Sequence, residues 1–129
     1  MAERINPENA PKVLGPYSHC VVSGKLLFTS GSIGVDPATG KLREGFSAQL
    51  RQVLSNLKIV LESSGSSEKN VLKATVYLTD LSNYKELNGI YSEFFGQGNF
   101  PARSAVQVSA LPAGALVEID LVAEIPGKQ

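Results

Sequence analysis

The sequence predicts an α+β fold in which one β-sheet carries two helices packed on a single face. Three observations predict it. β-prone and helical stretches follow one another in the order ββαβαββ. Both helical stretches are apolar on one side only, so each must bury that side against another layer. The last strand keeps a continuous apolar row at one parity, which can supply that layer.

Residues 1–16 are rich in Pro, Asn and Gly and read as an irregular lead-in. Residues 17–22 and 26–30 are short β-prone runs around Ser23-Gly24-Lys25, a hairpin signal. Residues 31–40 follow as a loop, with Asp36-Pro37-Ala38-Thr39-Gly40 as a tight turn. Phe46, Leu50, Val53, Leu54, Leu57, Val60 and Leu61 recur at helical spacing, and Gly65 can end that helix. Residues 71–79 alternate as a strand, with Leu72, Ala74, Val76 and Leu78 on one face. Asp80 or Ser82 can cap a second helix, whose stripe is Tyr84, Leu87, Tyr91 and Phe94 and whose stop is Gly96.

Two final strands lie near 102–109 and 115–125, joined by Leu111-Pro112-Ala113-Gly114. Val117, Ile119, Leu121, Ala123 and Ile125 share one parity of the last strand; Leu116 and Val122 share the other with Glu118, Asp120 and Glu124. A sheet covered on one side and still partly apolar on the other predicts a subunit contact. If these two strands pair as a tight hairpin, Gln107 lies opposite Glu118. Arg103 is then about four residues, or about 13 Å, further along the sheet. Long side chains or a neighbouring subunit would have to close that gap around a small ligand.

Composition narrows the function. A chain of 129 residues fits one domain, 1–129, and 43% hydrophobic residues give it a core. Twelve basic residues balance twelve acidic ones, which disfavours a nucleic-acid partner, because phosphate contacts need a basic excess. The single cysteine, Cys20, allows no internal disulfide and no cysteine-rich metal site, and fits a reducing compartment. The start, MAERINPENAPK, lacks the apolar segment of a signal peptide, and no apolar run approaches the roughly 20 residues of a membrane helix. The expected location is the cytoplasm, with no membrane partner.

No P-loop, GxSxG elbow, HExxH or CxxC pattern is present. The one histidine, His19, sits in a β-prone run beside Cys20 and reads as structural rather than catalytic. The informative stretch is 101–119. Arg103 stands in a strand of small and apolar residues, and its planar fork matches a carboxylate. Glu118 interrupts the last apolar strand. From the residues alone the readings that stand are a structural ion pair, two solvated side chains, or two functional groups of one site.

The stretch PARSAVQVSALPAGALVEIDLVA closely resembles the C-terminal signature of the RidA/YjgF family. NAPKVLGPYSHCVVSGKLLFTSGSIGVDPATG is similar to that family's N-terminal pattern, and the segment from Asn88 through Tyr91 to Phe94-Phe95 to its second helix. The resemblance spans nearly the whole chain. It implies a chorismate-mutase-like fold with one mixed sheet, a homotrimer, and ligand sites between subunits. It also implies deamination of 2-iminobutanoate and 2-iminopropanoate to 2-oxo acids. The family's carboxylate-binding arginine falls on Arg103, its water-orienting glutamate on Glu118, and other site positions on Tyr17, Ser30, Gly31 and Asn88. One position departs. Many members carry a cysteine where this chain has Ala105, so a thiol nucleophile there is impossible and only the backbone N–H can serve.

That chemistry calls for no cofactor and no metal. Arg103 would hold the carboxylate, Glu118 would orient or deprotonate water, and Ser30 with the Gly31 and Ala105 amides would fix the remaining atoms. The competing expectations are an endoribonuclease or translation-inhibitor activity, and a non-catalytic sensor of small carboxylates.

Overall fold

The computed structural model describes residues 2–128; Met1 and Gln129, at the ends of the expected 1–129 domain, lie outside the described residues. Seven strands form one sheet: β1 (Glu3–Ile5), β2 (Cys20–Ser23), β3 (Leu26–Thr29), β4 (Ser32–Ile33), β5 (Val71–Leu78), β6 (Ala102–Gln107) and β7 (Val117–Glu124). Two α-helices, α1 (Phe46–Ser63) and α2 (Tyr84–Phe95), cover one face. The order across the sheet is β1-β2-β3-β7-β5-β6, with β4 also on β7. Among the described residues only β5 and β6 run parallel, so the sheet is mixed and the expected α+β class holds.

The helices form where the apolar spacing placed them. Leu50, Val53, Leu57 and Leu61 of α1 and Leu87 of α2 are fully buried in one core cluster with Val117, Ile119, Leu121 and Ala123 of β7. Gly65 follows α1 at φ 83°, and Gly96 ends α2 at φ 76°, where a side chain would be strained. Asp80 accepts a hydrogen bond from the Ser82 amide at 2.9 Å and caps a 3-10 turn that leads into α2.

Several expectations are corrected. The lead-in contains β1, which only Ile5 half-buries; its pairing with the edge of β2 comes from backbone bonds, which leave no apolar period to read. The second strand starts at Cys20 rather than at 17, and the loop at 31–40 contains β4. The expected apolar face of β5 slips at its start. A bulge between Val71 and Lys73 buries Val71 and turns Leu72 out, 45% exposed. The largest correction concerns the last two strands, which do not form a hairpin. β5 lies between them, antiparallel to β7 and parallel to β6. The chain reaches β6 through α2, a crossover of the kind parallel pairing requires.

One irregularity shapes the site. β3 leaves β7 at Phe28↔Val122, and β4 rejoins it at Ser32↔Ile119. Three residues, Thr29, Ser30 and Gly31, therefore span the place of two on β7, Asp120 and Leu121. The Thr29 hydroxyl takes the Leu121 amide at 2.9 Å in place of a backbone carbonyl. This bulge carries Ser30 and Gly31 over the strand. The following loop is fastened to α1 by buried amides. Asn56 donates to the Val35 carbonyl at 2.9 Å, while Gln49 donates to the Arg43 carbonyl at 2.9 Å and accepts from the Leu116 amide at 2.8 Å.

Candidate functional site

Arg103 is in register with Ala74 of β5, whose side chain is buried under the helices. Neighbours in register share a face, so Arg103 points to the helix side. There it meets α2. Its Nη2 donates to the Tyr84 hydroxyl at 3.0 Å, and its guanidinium carbon lies 4.8 Å from the centre of the Tyr91 ring and 5.5 Å from that of Tyr84. Tyr84, Asn88 and Tyr91 follow at i, i+4 and i+7 and so share one helix face. With Phe100 and Pro101, Asn88, Tyr91 and Arg103 line an open recess of about 320 Å³. Arg103 is half-buried and makes no ion pair among the described residues.

Two details of this recess bear on ligands. The Tyr91 hydroxyl is buried and has no hydrogen-bond partner among the described residues. Burial pushes its pKa up to about 12 against the opposing pull of Arg103, so it stays a neutral donor. Ala105 follows Arg103 on the same face of β6, in register with Val76. Val108 donates to the Leu78 carbonyl, so by strand alternation the Ala105 amide points away from β5, off the free edge of the sheet.

Glu118 is elsewhere. It is in register with Tyr77 of β5 and Ile33 of β4 and lies on the face the helices leave open. Its carboxylate rests against Gly31 so closely that a Cβ on Gly31 would sit 2.6 Å from Oε2. Burial, with the Asp120 charge second, raises the Glu118 pKa above the ordinary carboxylate value. Tyr17, Ser30 and Gly31 line a narrow cavity together with His19 and, on α1, Asn56, Leu57 and Val60; Gly31 is the residue that links this cavity to Glu118. Ser30 is held by its hydroxyl, which donates to the Ser18 carbonyl at 2.6 Å, and by its amide, which donates to the His19 carbonyl at 3.0 Å. The Tyr17 hydroxyl accepts from the Leu14 amide at 3.3 Å.

The candidate residues thus fall into two groups. Arg103, Asn88 and Ala105 belong to one; Glu118, Gly31, Ser30 and Tyr17 to the other. Arg103 and Glu118 are offset by three residues of β5 and two strand spacings, about 14 Å in all, and point to opposite faces. They are therefore not an ion pair, and one chain does not bring them onto one small ligand. His19 sits in a structural role, its ring Nε2 2.6 Å from the Pro11 carbonyl and its amide on Asn6. Sequence reasoning read Tyr84 and Tyr91 as the apolar stripe of the second helix and did not take up Phe100. The signal that could have found them is the i, i+7 pair of tyrosines on the helix before an unpaired arginine. Among the described residues no cluster of His, Cys, Asp and Glu could hold a metal ion, and no helix is long and apolar enough to cross a membrane.

Comparison with known proteins agrees with this architecture. A family model described as Endoribonuclease L-PSP matches residues 7–125. A RutC family protein of Pyrococcus horikoshii is 47% identical, over 95% of this chain and 98% of its own. The 2-iminobutanoate/2-iminopropanoate deaminase of Salmonella typhimurium is 42% identical, over 95% of this chain and 98% of its own. The crystal structure of RidA from the Antarctic bacterium Psychrobacter sp. PAMC 21119 superposes with a TM-score of 0.93 at 43% identity, covering 95% of this chain and 99% of that one. Fold, motif order and relatives that cover nearly all of the sequence lead to one conclusion: the chain belongs to the RidA/YjgF family.

Proposed function

We propose that the protein hydrolyses small 2-imino acids, such as 2-iminobutanoate and 2-iminopropanoate, to the 2-oxo acid and ammonia. The observation that carries this reading is Arg103, a half-buried guanidinium with no acidic partner among the described residues, facing an open recess. An inward arginine without a counter-ion is costly to keep unless a ligand supplies the charge. The deaminase relative at 42% identity supports the choice of ligand.

The chemistry follows from the two groups. Arg103 grips the substrate carboxylate through its fork. Glu118, whose raised pKa makes it a stronger base than a surface carboxylate, takes a proton from water. The water oxygen bonds to the imine carbon, and the C=N π pair moves onto nitrogen. The first proton passes to nitrogen and gives an amino alcohol. The hydroxyl proton then follows by way of Glu118, so that as the C–N bond breaks nitrogen leaves as ammonia and the oxygen lone pair forms the carbonyl. In this reading the Ala105 and Gly31 amides hold the substrate or the tetrahedral intermediate.

Because the two groups occupy opposite faces, we propose that a site combines Arg103 of one chain with Glu118 of another in a homotrimer. The open face supports this reading, since it exposes Phe28 (44%) and Val106 (45%) beside Glu118 and Asp120. A pure carboxylate sensor would gain nothing from Glu118 near its anionic ligand. The test is to generate the imine with a threonine dehydratase in the presence of semicarbazide. An imine deaminase lowers the amount of trapped imine; no reduction with any small imino acid sinks the enzyme reading.

A further inference from the structure

We infer that Tyr84 is a positioning residue for Arg103, its hydroxyl setting the rotation of the guanidinium on the Tyr91 ring. The inference rests on the proposed carboxylate-binding role of Arg103 and adds the group that makes the fork directional. A cation above an aromatic face is held by the ring quadrupole, which sets its height but hardly discriminates among rotations in its own plane. At 4.8 Å from the Tyr91 centroid, Arg103 has such a support. A two-pronged bond to a carboxylate, by contrast, needs one particular rotation.

The Tyr91 hydroxyl does not select that rotation, since it makes no hydrogen bond among the described residues. Tyr84 does. Its oxygen accepts from Nη2 at 3.0 Å, the one hydrogen bond the guanidinium makes among the described residues. That bond uses a single N–H of the five an arginine carries and leaves the others for the ligand. Tyr84 opens α2 immediately after the turn capped by Asp80, so the hydroxyl is carried on a fixed helix end rather than on a loop. The backbone of α2 therefore dictates the aim of a side chain on β6.

The test removes one oxygen. Tyr84 is 42% exposed, so Tyr84→Phe leaves packing intact, and a thermal melt checks that it does. We expect KM for 2-iminobutanoate to rise about five- to tenfold with kcat within about twofold, because a loosened fork weakens ground and transition state alike. The Kd for 2-oxobutanoate should rise in parallel. In an Arg103→Lys background, which has no fork to aim, Tyr84→Phe should add nothing further. Unchanged KM and Kd in Tyr84→Phe, or full additivity with Arg103→Lys, overturns the role of Tyr84. If Arg103→Lys weakens 2-oxobutanoate binding in that same experiment, the clamp itself still stands. Undiminished 2-oxobutanoate binding by Arg103→Lys overturns the clamp and the Tyr84 role with it.

Discussion

Arg103 and Glu118 flank the same strand, β5, yet face opposite sides of the sheet: Arg103 is in register with buried Ala74, Glu118 with Tyr77 on the open face. The strand between them blocks any contact within a chain. This makes the composition of the site a measurable quantity.

A mixing experiment reads it. Arg103→Lys and Glu118→Gln should each keep at most about a hundredth of wild-type activity alone. Mixed one to one, dissociated and reassembled, they should regain about a quarter of wild-type activity, because half of the arginines and half of the glutamates are intact and pair at random across a cyclic interface. Sites confined to one chain would regain none. Sedimentation should report three subunits, and a lysine at Phe28 should disrupt them by placing a charge in the proposed contact.

Arg103→Lys keeps the charge and loses the fork. We expect kcat/KM to fall by at least about a hundredfold. Thermal stability should hardly change, since Arg103 makes no ion pair among the described residues. Near wild-type turnover would remove the clamp from the mechanism.

Glu118 links activity and stability to pH with definite signs. Its pKa is raised by burial and by Asp120, so the base loses its charge at a higher pH than a surface glutamate would. The pH profile should fall on the acid side through that raised value, and Glu118→Gln should be nearly inactive throughout while still binding 2-oxobutanoate. For stability, the folded chain holds this proton more tightly than the unfolded one. The ionised carboxylate therefore costs stability above the folded pKa, and the cost fades as pH falls through it. Glu118→Gln should melt higher than wild type at neutral pH, with the difference shrinking in acid. An equal gap at both would contradict the raised pKa.

Two glycines separate function from stability. A Cβ on Gly31 meets first the Glu118 side chain, 2.6 Å from Oε2, which can turn about its own torsions. Gly31→Ala should cost about tenfold or more in activity and under about 1 kcal/mol in stability. A Cβ on Gly34 meets the α1 backbone, 2.7 Å from Cα and from the carbonyl oxygen of Gln49, which cannot turn away. Gly34→Ala should cost about 1–3 kcal/mol, measured by denaturant melt, with activity per folded molecule kept.

The sequence alone determined the α+β class, both helices with their glycine stops, and the inward row of β7, because each rests on local periodicity or on a turn residue needing positive φ. It also singled out Arg103 and Glu118 as residues out of keeping with plain packing, and the family resemblance added Gly31. Only the tertiary structure decided strand order. A strand's pattern tells which face is buried but not which strand lies beside it, so β5 entering between β6 and β7 was invisible, and the Gln107–Glu118 pairing that a tight hairpin would make does not occur. The same step moved Arg103 and Glu118 to opposite faces and brought Tyr84 and Tyr91 under the guanidinium. Side-chain parity is local and period two; adjacency in a sheet is a long-range outcome of how a crossover helix finds room on the covered face.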